Sequence, residues 1–77
     1  MIGFHEMRQV KIDGVLHNYE VQDWAQYGWP KDPSISYRIF SCPADRKFVR
    51  TAQHDFPLAV TKLEGKFRTS GHEYEFV

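Results

Sequence analysis

Asp55-Phe56-Pro57-Leu58-Ala59-Val60-Thr61-Lys62-Leu63-Glu64-Gly65-Lys66-Phe67 is the segment in which the hydrophobic period of this 77-residue chain changes. Phe56, Ala59, Val60, Leu63 and Phe67 recur at spacings of three and four, which places them on one helical face. Asp55 suits an N-cap, and Pro57 suits the first turn, where a missing N–H costs nothing. Gly65 weakens the interior or ends the helix early, so that Phe67 packs from just beyond it. Downstream, Ser70-Gly71 releases the chain, and His72-Glu73-Tyr74-Glu75-Phe76-Val77 alternates as a candidate closing strand.

Upstream of this segment the period is two. Asp13-Gly14, between Val10-Lys11-Ile12 and Val15-Leu16-His17, predicts a hairpin, because the type I′ turn needs positive φ at both central residues. A two-residue loop sets Ile12 opposite Val15, Val10 opposite His17 and Arg8 opposite Tyr19. Strands near 4–12 and 15–24 then share a face of Phe4, Val10, Ile12, Val15, Tyr19 and Val21. Residues 24–33 hold Pro30, Pro33 and Gly28 and read as a loop carrying Trp24, Tyr27 and Trp29. Ile35 to Ser41 alternates and is rich in β-formers, Pro43-Ala44-Asp45-Arg46 turns, and Lys47 to Ala52 returns as a fourth strand. The register of this second hairpin leaves open whether Ile39 or Phe40 is buried. The fold class expected is α+β in one domain spanning 1–77. It has a four-stranded antiparallel sheet of two hairpins, one C-terminal helix packed across a face, and residues 72–77 as a candidate fifth strand.

Composition narrows the function classes. Ten Lys and Arg balance ten Asp and Glu, which argues against a histone-like polybasic partner to nucleic acid. Apolar residues at 42% and twelve aromatics mark a folding chain rather than a disordered one. The longest apolar run, Leu58-Ala59-Val60, is far below the roughly 20 residues of a membrane span, and no secretory signal is legible at the N-terminus. One cysteine, Cys42, forms no internal disulfide, which suits a reducing, cytoplasmic setting.

Local motifs of catalysis are absent. His5, His17, His54 and Cys42 lie on different elements and none has metal-ligand spacing, so neither a metal nor a cofactor is expected. Cys42 before Pro43 reads as a buried, inert thiol. No nucleophile elbow, phosphate loop or dinucleotide fingerprint occurs, and the expectation is a protein that is not an enzyme. That expectation yields only if folding brings a histidine beside Cys42 or beside a carboxylate in a cleft.

Two features bear on binding. Trp24, Tyr27 and Trp29 concentrate hot-spot residue types in one loop, against the alternative that Trp24 and Trp29 fold back over the sheet. Charge is also unevenly placed: residues 1–30 carry net −2, 31–54 net +3 and 55–77 net −1. In the basic segment Lys31, Arg38, Arg46, Lys47 and Arg50 are interleaved with Tyr37, Phe40 and Phe48, a composition that can track phosphates and stack bases. A basic hairpin followed by a helix over residues 34–67 loosely resembles the AP2-type and phage-integrase arm-binding domains, which implies strands laid in the DNA major groove.

The function expected first is therefore a non-catalytic regulator acting by stoichiometric protein–protein contact through Trp24, Tyr27 and Trp29. Small phage- or mobile-element-encoded inhibitors of bacterial host or defence complexes share this profile. The alternative is a nucleic-acid-binding module using Lys31, Tyr37, Arg38, Arg46, Lys47 and Arg50 of the hairpin 34–52. An edge strand, 4–12 or 72–77, offers a route to a homodimer.

Overall fold

Six antiparallel strands follow one another as a meander: β1 Arg8–Ile12, β2 Val15–Val21, β3 Ile35–Pro43, β4 Ala52–Pro57, β5 Lys66–Thr69 and β6 His72–Phe76. This is a computed structural model, and it describes residues 7–24 and 30–77. The sheet order is β4-β3-β2-β1-β6-β5. Pairing of β1 with β6 joins the two ends of the chain, and the sheet curls into a nearly closed barrel open only between β4 and β5.

The expected α+β class is overturned, since no described residue is helical. Residues 55–67 finish β4, cross a loop and begin β5. Phe56 faces Tyr37 across the β3–β4 ladder, and Phe67 faces Tyr74 across β5–β6. Val60 and Leu63, which the helical spacing aligned with them, lie on the loop and fold over the core from its end. The apolar spacing of three and four is thus met by a strand, a loop and a second strand together. With the helix gone, the resemblance to three-stranded DNA-reading domains loses its second element.

The first hairpin has the register expected, with Arg8, Val10 and Ile12 opposite Tyr19, His17 and Val15. Asp13 and Gly14 take φ of 52° and 82°, as the turn requires. Ser70 and Gly71 repeat the device, with φ of 55° and 79°, and set Thr69 opposite His72. The strand expected over 47–52 is instead loop up to Thr51, and β4 begins at Ala52. The strands nominated as edges lie inside the sheet, because β1 has β2 and β6 as neighbours and β6 has β1 and β5.

The concave face is the core. Val10, Ile12, Tyr19, Ile39, Phe56 and Tyr74 are buried, with Tyr37, Val60, Leu63, Phe67 and Phe76 packed against them. Ile39 rather than Phe40 points inward. Val15 and Val21, expected on the buried face, are 54% and 41% exposed at the two ends of β2. Aromatic edges meet faces across the interior: Phe56 to Tyr74 at 4.9 Å, Tyr19 to Phe76 at 5.5 Å and Phe56 to Phe67 at 5.8 Å between centroids. Such rings supply volume that a chain this short otherwise lacks.

Candidate functional site

Two regions gather side chains beyond what folding needs. The first is the outer face of β3 and β4 with the end of β2. Arg38 donates from Nε and Nη2 to the two carboxylate oxygens of Asp55 at 2.7 and 3.0 Å, and that pairing holds its ionisation above the ordinary value. Its guanidinium lies 4.9 Å from the ring centre of half-buried Trp24. One row along, Arg50 pairs with Glu20 and lies 5.2 Å from the Phe40 ring. Gln53 joins the rows by donating to Asp55 at 3.4 Å. Antiparallel pairing produces this continuity, since Glu20, Phe40 and Gln53 share one register row while Arg38 and Asp55 share the next on the same face.

Beneath its rim lies Gln22. The residue is 3% exposed, its N–H donates to the Arg38 carbonyl at 2.8 Å, and its side-chain nitrogen and oxygen have no hydrogen-bond partner among the described residues.

The residues nominated from sequence divide accordingly. Trp24 joins this face, and Tyr27 and Trp29 lie outside the described residues. Of the basic set, Arg38 and Arg50 are brought together. Arg46 is exposed in the β3–β4 loop beside Asp45, at 3.6 Å, and Lys47 is exposed on the same loop. Lys31 is exposed ahead of β3. Tyr37 turns toward the core and donates from its hydroxyl to the Thr61 carbonyl at 3.1 Å, which removes it from any stacking surface. Cys42 is fully buried, with its thiol directed to the Lys47 carbonyl at 3.6 Å.

The second region is the open seam between β4 and β5, where folding gathers histidines that sequence left scattered. His54 on β4 has Nδ1 2.8 Å from the Tyr74 hydroxyl and Nε2 3.1 Å from the Ser41 hydroxyl. His72, opening β6, lies 5.7 Å from it between ring centres. Nδ1–H of His72 donates to Asp13 Oδ2 at 2.7 Å, and the other Asp13 oxygen accepts the Glu73 N–H at 3.0 Å. Asp13 N–H donates to the Glu73 carbonyl at 2.8 Å, so the β1–β2 turn is clasped to β6. These bonds hold the Asp13 carboxyl below its ordinary value, the Glu73 N–H contributing most. Burial lowers the His54 value, helped by His72 and His17, and pushes Tyr74 up to about 12.

A cavity of about 630 Å³ lies beside the Asp13–His72 pair, and one of about 530 Å³ is lined by His54, Ser70, His72 and Tyr74. A histidine beside a carboxylate in a cleft is thus present. No serine or cysteine is hydrogen-bonded to His72 among the described residues, and Ser41 is fully buried behind His54. Nor, among the described residues, do three His, Cys, Asp or Glu side chains converge closely enough to hold a metal ion.

No helix of the described residues is long and apolar enough to cross a membrane. Compared with protein families, with curated proteins and with solved structures, the chain matches none.

Proposed function

We propose that the chain is a small non-catalytic binding protein that regulates a protein partner by stoichiometric contact through the outer face of β3 and β4. The observation that carries this reading is the pair of arginines, Arg38 and Arg50, each set between an aromatic ring and a carboxylate. Aromatic and arginine side chains dominate interface hot spots because they bury large areas with little rotamer loss. Their partners here pre-order the guanidinium planes before any encounter.

The same pairing disfavours the alternative of nucleic-acid binding. Each cation on this face has a carboxylate as its neighbour, so a phosphate backbone would meet Asp55 and Glu20 as well as Arg38 and Arg50. Counterion release, the main source of nucleic-acid affinity, requires cations free to replace bound salt ions. The regulator reading, with a bacterial host or defence complex as target, adds to this face the small size and neutral charge of the chain.

A folded Trp24→Ala/Phe40→Ala variant tests the proposal. One-to-one capture of a protein partner by the parent and at least a roughly ten-fold loss in the variant is expected, the size of about 1.4 kcal/mol of contact energy. Undiminished capture by the folded variant rejects the face. Duplex DNA or single-stranded RNA bound at micromolar concentration, with affinity falling steeply as salt rises, would install the nucleic-acid reading instead.

A further inference from the structure

We propose that the β4–β5 seam is a proton-operated latch, in which a proton on His54 parts β4 from β5 and β6 while the β1–β2–β3 ladder stays closed. Five of the six strand neighbours around the barrel are joined by backbone ladders. Across the sixth, among the described residues, the link is side chains: His54 to Tyr74, the Phe56 and Phe67 rings, and the Ser70 hydroxyl donating to the Asp55 carbonyl at 3.5 Å. A strand held by side chains opens at lower free energy than one held by a ladder, so this is where local opening belongs.

His54 stands at the centre of that link. Tyr74 and His72 face it from β6, Ser41 from β3, His17 from β2 and Asp13 from the β1–β2 turn, with Asp55 beside it on its own strand. The nearest charges it would meet as an imidazolium are mixed: two histidines repel it, and the two carboxylates are engaged elsewhere, Asp13 with His72 and Asp55 with Arg38. His72 has a carboxylate against its ring, whereas His54 has only hydroxyls. Neutral His54 suits these partners, one nitrogen donating and the other accepting. Charging it places an only partly compensated cation in a half-buried gap between strands that no ladder joins, and parting the strands lets water reach it.

The sign follows from burial. The folded chain resists the proton more than the open seam does, so opening grows as pH falls below the ordinary imidazole value of about 6.5 and is independent of pH above it. The latch does not rest on the partner-binding reading, since it is argued from His54 on the inner side of β4, although Asp55 serves both regions.

Side-chain NMR of the whole chain between about pH 7.5 and about pH 5.5, either side of the ordinary imidazole value, tests it. Cross-peaks between the Phe56 and Phe67 rings should be progressively lost toward the lower pH, as the open population grows. Those between Val10 and His17 should persist, and a His54→Gln variant should keep its seam cross-peaks throughout. Persistence of the seam cross-peaks in the parent chain overturns the latch, as does their equal loss in His54→Gln or their loss together with the β1–β2 cross-peaks. If His54→Gln does not fold, the parent's own His54 ring titration decides: a midpoint at or above the ordinary value, or one that does not coincide with seam opening, overturns it.

Discussion

Gln22 is 3% exposed, and neither polar atom of its side chain has a partner among the described residues. A buried amide left in that condition costs about 1–3 kcal/mol for each orphaned group. Gln22→Met should therefore stabilise the isolated chain, by about 1 kcal/mol, as a rise in its urea midpoint. Its backbone bond to the Arg38 carbonyl also predicts that the same variant binds the partner more weakly, whereas a residue with a purely structural role would lose stability. Arg38 behaves oppositely. It is 18% exposed against Asp55 at 34%, so Arg38→Ala leaves a half-buried carboxylate without its bidentate donor. The expected loss is about 1–2 kcal/mol in the same urea experiment, and Arg38→Lys should recover only part of it, because a lysine cannot reproduce the fork.

At the level of elements, Gly65 distinguishes the structure from the helix that the spacing of Phe56, Val60 and Leu63 suggests. In a helix interior Gly65→Ala would stabilise; in the structure Gly65 has φ of 77° with open space around it, so the added Cβ meets strain and no clash. A loss of about 1 kcal/mol on thermal melting is expected. The first hairpin was legible because Asp13-Gly14 states its turn chemistry locally and the flanking apolar residues alternate. Ser70-Gly71 states the same chemistry, yet a helix placed before it turned a hairpin turn into a release point. The strand β4 was hidden for a different reason: its inward row is Ala52, His54 and Phe56, with a polar residue at the central core position. Alternation is broken in a strand whose buried face is polar at its centre, and the partners that satisfy His54, Ser41 and Tyr74, come from other strands. The histidine-lined seam was illegible for the same reason, since His17, His54 and His72 meet only after the barrel curls. Arg38, Arg50 and Trp24 were nominated by residue type, but in two separate sets; the β-register that unites them is a tertiary property.

For the whole molecule, a chain of this length has roughly 4–12 kcal/mol of stability to lose. Phe56 is fully buried and touches Tyr74, Phe67 and Phe76, so Phe56→Ala at about 3–5 kcal/mol should remove much of it, as followed by urea unfolding. Stability should also depend on pH near neutrality. Because the folded chain holds His54 below its ordinary value, the unfolded chain takes up protons first, and stability falls as pH drops below about 6.5. His54→Gln should flatten that slope in urea midpoints measured across the range.

The claim on which the functional account turns is that the outer face of β3 and β4 meets a protein. Gln53, exposed between the Arg38–Asp55 and Arg50–Phe40 rows, can be replaced by a photo-crosslinking residue and the chain irradiated in the cells that encode it. The account predicts one protein adduct of one-to-one stoichiometry, lost when Trp24 and Phe40 are alanine and absent when the crosslinker stands at Glu75 on β6. An adduct to nucleic acid from Gln53, or the same protein adduct from both positions, would contradict it.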